Sequence, residues 1–461
     1  MVTKRLICVF GFLLVGAAPL LAQVRLTPDD PVADRLVAEA LQKTPEIRSA
    51  TASVEAAQRR IVPARTLPDP SASFTYQNEG RGISFGRAEG TFAGVMLSQP
   101  LPWPGKLNLA GRVAESEARE IASGSLPRAQ RTIEARVRNA WYDLLLAKSV
   151  DRVIDERRAT ATQIEASARE RYAVGLAVQQ DVLRAQIELV RIDELKANQR
   201  ALIVARTAEL NRLTGRPQDA SVESPSDLPA PAAVPAADPI ISSVVAHSPE
   251  VASARQGIET GRFAIDLARK NFLPDFVVSG GSMYRGSFEM GPMWQVGVGV
   301  SIPAWLDRRQ RNQLAEAEAR LAARNADADL VPQQLELRTR ERLAQLQASD
   351  EIAALYRDKV LPLDELSLES AMASYTAGKV PFITVLEALN SLYSDRTAYR
   401  SRLAESAKWR VAVDEASLDP TAMSSSPAMP AGGGMSAGGS SAGASAPRSS
   451  GSNKSSMTSM R

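Results

Sequence analysis

The sequence predicts a mainly α-helical chain with a small membrane β-sheet, built from two copies of one structural unit. Three observations predict it. The second half of the chain repeats landmarks of the first, four short segments alternate in character, and the helical runs are long enough to cross a compartment.

The N-terminus has Lys4 and Arg5, then an apolar run from Leu6 to Leu21 ending in Ala22, the layout of a secretory signal peptide (1–22). The cut is placed after Ala22, although Leu20 stands where a small residue is preferred. The single cysteine, Cys8, lies inside this leader, so neither a lipid anchor nor a disulfide is expected. The 55 basic and 52 acidic residues nearly cancel, which argues against a nucleic-acid partner. No other stretch offers about 18 consecutive apolar residues, so any membrane-spanning part must be a closed β-barrel.

The segment 171–189, RYAVGLAVQQDVLRAQIEL, returns at 374–392 as SYTAGKVPFITVLEALNSL. Tyr172/Tyr375, Gly175/Gly378, Val182/Val385, Leu183/Leu386, Ala185/Ala388 and Leu189/Leu392 align without a gap. TPEIRSA (44–50) returns as SPEVASA (248–254), and Leu67-Pro68-Asp69 as Leu273-Pro274-Asp275. Three landmarks in one order define a duplicated half-domain, too long for a solenoid unit. The expected organisation is a first repeat at 23–216, a Pro/Ala-rich linker at 217–239 and a second repeat at 240–419. A Gly/Ser/Met-rich tail at 420–461 carries too little bulky apolar surface to fold. Each repeat runs helix, two strands, long helix, turn, long helix.

In 293–302, Trp294, Val296, Val298, Val300 and Ile302 alternate with Gln295, Gly297, Gly299 and Ser301. A period of two puts one apolar stripe and one small, polar stripe on opposite faces of a strand. Segment 71–77 does the same, and 91–98 and 276–285 do so less cleanly. For any one strand the plain alternative is a soluble sheet packed on a helix. However, the long helices are too Ala-rich and evenly charged to cover such a sheet, and four strands leave two open edges. Transmembrane barrels start at about eight strands, so three copies of the chain, giving twelve, make the simplest closure.

From Lys106 to Tyr172 little opposes a helix except Gly124 and Pro127, and at about 1.5 Å per residue the run extends roughly 100 Å. The second copy runs from near Asp307 to Tyr375, with bends or breaks expected at Pro332 and Pro362. Return helices are expected at 179–214 and 381–416. Along the first of these, positions 183, 187, 190, 194, 197, 201, 204 and 208 form a coiled-coil seam rich in Ala. Gly215 and Pro217 then stop the helix.

These motifs have a family likeness. SQPLPWPGK (98–106), RYAVGL (171–176), DVLRAQIEL (181–189), RLTG (212–215) and YTAGKVPFITVLEALNSLY (375–393) resemble the outer-membrane factor (TolC) family, especially its heavy-metal-efflux branch. The resemblance covers roughly 33–416 and implies a TolC-like fold. In that fold a homotrimer forms a twelve-stranded barrel in outer-membrane lipid of a Gram-negative cell, continued by an α-helical coiled-coil barrel into the periplasm. It implies a passive efflux or type I secretion duct, with a periplasmic adaptor and an inner-membrane pump of the RND type as partners, and no cofactor. It also implies that the turns Val174-Gly175-Leu176 and Ala377-Gly378-Lys379 dock the adaptor. Tyr375 matches the family's gate tyrosine, and Asp181 the carboxylate that binds it. The pattern departs where the family's gate arginine is replaced by Val380, beside Lys379, and its two aspartates by Thr384 and Glu387.

The solute is not written in the sequence. Met423, Met429, Met435, Met457 and Met460 in the tail could hold a soft cation such as Cu(I), but scattered Met is common in such tails and no metal site is assigned. The lone His247 reads as a surface or packed residue. No P-loop and no nucleophile–His arrangement suggests catalysis. The competing function is a secreted coiled-coil envelope scaffold or adhesin without transport activity.

Overall fold

The computed structural model describes residues 25–78, 81, 91–224, 227–285 and 291–418; the leader and the tail lie outside the described residues. Each half opens with helices set by proline. Helix α1 (Pro31–Lys43) is capped by Asp30, whose side chain accepts from the Val32 and Ala33 N–H groups, and is followed by α2 (Pro45–Arg59) and α3 (Ile61–Arg65). In the second half the counterparts are α6 (Ala237–His247) and α7 (Pro249–Lys270). The single helix expected here is split in each copy. A residue before proline is driven out of the helical region, and Thr44 and Ser248 are extended, with ψ of 132° and 128°. The described residues of the linker adopt no regular structure up to α6, yet the segment is not free: Val222 and Leu228 are buried in a core with Trp141 and Leu145.

Four antiparallel strands, β1 (Ser71–Gln77), β2 (Phe92–Leu101), β3 (Asp275–Arg285) and β4 (Met293–Ser301), form one sheet in that order. The register aligns Phe74, Val95, Ser282 and Trp294 in one row and Ala72, Leu97, Gly280 and Val296 in the next. One face is therefore apolar apart from Ser282 and Gln99, and it is bare: Phe74 and Val298 are each 70% exposed and Trp294 80%. The other face carries Ser71, Ser73, Thr75, Gln77, Ser98, Ser279, Gln295 and Ser301 and glycines 94, 281, 297 and 299, interspersed with Phe92, Met96, Val277, Met283 and Met293.

The helices are α4 (Lys106–Ala173), α5 (Gln179–Thr214), α8 (Arg311–Leu355), α9 (Leu361–Thr376) and α10 (Phe382–Glu415). With 68 residues, α4 is about 100 Å long, and neither Gly124 nor Pro127 breaks it. Pro332 does not break α8 either, contrary to expectation. The interruption falls at Tyr356–Val360, a π-helical turn closed by the Leu361 N–H on the Tyr356 carbonyl, just before Pro362. The proline has no N–H, and its ring crowds the carbonyl four residues back; the wider turn relieves both. A second π turn, Leu306–Gln310, leads from β4 into α8.

The buried stripe shows what the turn at 356–360 does. Along α8 it runs Leu335, Thr339, Arg342, Leu346, Ser349, Ala353, in steps of four and three. The same rhythm carried onward predicts positions 367, 370 and 374. The residues actually buried in α9 are Leu368, Ala371 and Tyr375, each one place later. The turn thus absorbs one extra residue and keeps the stripe on one face.

The seam expected on α5 is not covered within this chain. Within the chain α5 buries Val182, Ala185, Glu188, Ile192 and Leu210, whereas Leu183, Ile187, Val190 and Val204 of the predicted seam are exposed. Two stripes lie one residue apart, and only one is covered by this chain.

Where the sheet meets the helices, Gly105 (φ 92°) turns the chain and Lys106 is buried. Its Nζ donates to Asp275 Oδ1 at 2.8 Å and to the Leu273 carbonyl at 3.0 Å, while the Trp103 N–H donates to the same carboxylate at 2.7 Å. Trp103 stacks on Phe276, with ring centroids 5.6 Å apart. The landmarks SQPLPWPGK and LPD, one from each repeat, are clasped together here.

A Cβ on Gly281 would fall 2.4 Å from the Val95 carbonyl oxygen, whereas one on Gly280 would meet nothing nearer than 3.9 Å. Gly281→Ala should lower stability by about 1–3 kcal/mol, and Gly280→Ala should cost much less, measured as the urea midpoint of detergent-refolded protein.

Candidate gate and docking tips

Both interhelical turns are built the same way. Gly175 (φ 75°) and Gly378 (φ 72°) take the left-handed conformation that ends α4 and α9. The Leu176 N–H donates to the Arg171 carbonyl at 2.8 Å, and the Lys379 N–H donates to the Ser374 carbonyl at 2.9 Å. A side chain with a Cβ is strained at either glycine, which explains their place in the repeat. Val174, Gly175, Leu176, Ala377, Gly378 and Lys379 are all exposed.

Beside the turns the structure brings Tyr375 and Asp181 together. The Tyr375 hydroxyl donates to Asp181 Oδ2 at 3.3 Å, and its ring, which is buried, meets Phe382 edge-on at 5.3 Å. Burial, and then the negative charge of Asp181, hold this hydroxyl above the ordinary tyrosine value. Thr384 is half-buried and its N–H donates to the Pro381 carbonyl at 3.1 Å. Lys379 and Glu387 are exposed and, among the described residues, make no ion pair with each other or with the Tyr375–Asp181 pair.

The sequence reading missed Arg171. Its guanidinium lies over the Tyr375 ring, 5.0 Å from the centroid, and donates both to the Thr376 carbonyl of the second tip and, at 3.2 Å, to the Leu176 carbonyl of its own. One cation therefore holds both tips. The motif RYAVGL contained it, but only the fold shows that it reaches across about 200 residues of sequence.

A carboxyl pair, Asp364 and Asp395, lies farther up the second hairpin, just beyond the π turn. Burial, then a hydrogen bond with Asp364, raise the Asp395 carboxyl above its ordinary range, and Ser391 Oγ donates to Asp364 Oδ1 at 3.2 Å. His247 is exposed at the end of α6, with Nδ1 2.9 Å from the Ser243 carbonyl. Among the described residues no three His, Asp or Glu side chains converge as a metal site.

A sheet with one bare apolar face, joined through a locked junction to a helix about 100 Å long, defines a protomer of a membrane-spanning duct. The model of the outer membrane efflux protein family matches residues 36–216 and 240–408, and the chain belongs to that family. It is 23% identical over 370 residues to the cobalt-zinc-cadmium resistance protein CzcC of Cupriavidus metallidurans, covering 80% of this chain and 85% of that one. It is 24% identical to the outer membrane protein TolC of Vibrio cholerae, covering 77% and 83%. Its fold matches the outer membrane protein VceC of Vibrio cholerae with a TM-score of 0.68 at 20% identity, covering 83% of this chain and 95% of that one. The chain is an outer-membrane protein of the efflux family.

The Tyr375 pKa carries a sign. A hydroxyl whose folded value is raised contributes stability that is fully present below the ordinary value and is lost as pH rises through the raised one. Single-channel conductance should therefore stay flat through neutral pH and rise only in alkali beyond the normal tyrosine range. Tyr375→Phe should abolish that alkaline rise, and Arg171→Ala should raise conductance at every pH.

Proposed function

We propose that this chain is one of three identical subunits of a passive outer-membrane duct, the outermost part of a tripartite efflux assembly. The observation that carries the reading is the bare apolar sheet face with two open edges. In water that face would aggregate, and in lipid it is solvated but its edges must be paired. Three copies give the twelve strands that close a barrel, with the mixed face that holds the Ser, Thr, Gln and Gly residues turned to the lumen. The second α5 stripe, Leu183, Ile187, Val190 and Val204, then packs against a neighbouring subunit below the membrane.

The tips at Gly175 and Gly378 dock a periplasmic adaptor, through which an inner-membrane pump of the RND type delivers the solute. Tyr375, Asp181 and Arg171 hold the aperture closed, and Glu387 supplies a carboxylate ring beside it. The solute is small; the likeness to a cobalt-zinc-cadmium resistance protein favours metal cations over drugs. No reaction is catalysed, and the energy for transport comes from the pump.

Ile187 is exposed on the isolated protomer, so Ile187→Asp should leave the protomer folded by circular dichroism yet remove the heat-modifiable trimer band from outer-membrane fractions. A trimer of unchanged thermal stability would sink the stripe assignment. In planar bilayers the wild type should form discrete pores, and Glu387→Ala should reduce cation selectivity; a protein that forms no pore would support the scaffold reading instead.

A further inference from the structure

The two repeats can be superimposed on the sheet residue by residue. Asp69 maps onto Asp275, and Leu101-Pro102 maps onto Ile302-Pro303. Together these two mappings carry the β1–β2 register onto the β3–β4 register: Ser71 opposite Ser98 becomes Val277 opposite Gly299, which is an observed pair. The second mapping continues past the junction, since the ion pair Glu115–Arg119 becomes Glu316–Arg320, also observed. The internal symmetry is thus tested on both sides of the point where sheet becomes helix.

The same mapping acts on the β2–β3 contact, which joins the two halves. Leu97 opposite Gly280 becomes Val298 opposite Phe74, Gln99 opposite Val278 becomes Val300 opposite Ala72, and Val95 opposite Ser282 becomes Val296 opposite Tyr76. None of these derived pairs forms within the chain, because β1 and β4 are the opposite edges of the sheet. Each of them joins side chains that belong to the same bare face. We propose that the seam between neighbouring subunits pairs β4 with β1 of the next copy in this register, with Phe74 opposite Val298 of the partner subunit. The proposal deepens the trimeric reading above, and it commits the open edges to one occupant, a second copy of this chain.

The seam does not repeat the ionic clasp. Lys106, which binds Asp275 inside the chain, maps onto Asp307, and Asp275 maps onto Asp69. At the seam Asp307 therefore faces Asp69 of the partner subunit, carboxylate against carboxylate. Within its own chain Asp307 is exposed and bound to Arg311 at 2.6 Å, and Asp69 is exposed. Of the two junction types around the barrel, the one between subunits lacks the internal lock and is the weaker.

The test uses the full chain in a Cys8→Ser background, which removes its one cysteine. Phe74→Cys with Val298→Cys should give a covalent, reducible trimer on mild oxidation in membranes. The pairs Phe74→Cys with Val296→Cys and Phe74→Cys with Val300→Cys, one step out of register, should cross-link several-fold less. Preferential cross-linking of a shifted pair within an intact trimer would overturn the register and leave the trimer standing. A detergent-solubilised monomer with no cross-link from any pair would overturn the trimer itself. Asp307→Lys should raise the temperature at which the trimer dissociates in SDS, and Asp69→Asn in the same chain should cancel most of that gain. A rise that survives Asp69→Asn, or no rise at all, would overturn the facing of the two carboxylates.

Discussion

Every backbone N–H and C=O placed in hydrocarbon must find a partner, and this constraint governs the rest of the molecule. Inside the chain β2 and β3 satisfy it for each other, which ties the two repeats into one sheet. The outer edges of β1 and β4 cannot be satisfied by this chain, so the unit that is stable in lipid is larger than the polypeptide. The bare apolar face of the sheet and the uncovered stripe of α5 are apolar surfaces that this chain alone leaves open.

Below the sheet the chain is held by a different kind of contact. Apolar cores are thin and rich in Ala, which lets helices approach closely, and buried or half-buried ion pairs join elements distant in sequence. Lys408 on α10 binds Asp143 on α4, Arg410 on α10 binds Asp350 on α8 at 2.7 Å, and Arg324 on α8 binds Glu120 on α4 at 3.0 Å. Near the N-terminus, Asp414 accepts from the backbone of Leu26 and Thr27 and from the Thr27 hydroxyl, so the start of the described chain is pinned to the end of α10. Such pairs select one alignment of long, nearly uniform rods, where apolar contacts alone would tolerate sliding.

Much of this was legible in the residues. The alternation at 293–302 located β4, Gly215 ended α5, and the repeated Gly175 and Gly378 located both turns, because each signal is local and has one physical cause. The Tyr375–Asp181 contact was also anticipated, but through family likeness and not from spacing. What escaped was non-local. Nothing in a run of residues distinguishes the covered stripe of α5 from the uncovered one, since each has apolar side chains at the right rhythm. Arg171 and Lys106 gave no local signal of their contacts, since the carbonyls and the carboxylate they bind across the repeat lie far away in sequence. Pro332 misled for a related reason: a long packed helix can tolerate the loss of one hydrogen bond that a short one cannot.

The π turn at Tyr356–Val360 has a consequence for how length and stiffness are encoded. Because its extra residue is taken up locally, the helix beyond keeps its phase, and Tyr375 arrives on the same side as if the rod were regular. Removing one residue from this turn would straighten the hydrogen-bond ladder without rotating what lies below. Compliance in this arm of the duct can therefore be altered by natural variation independently of where its end points, a freedom that the unbroken α4 of the other arm does not have.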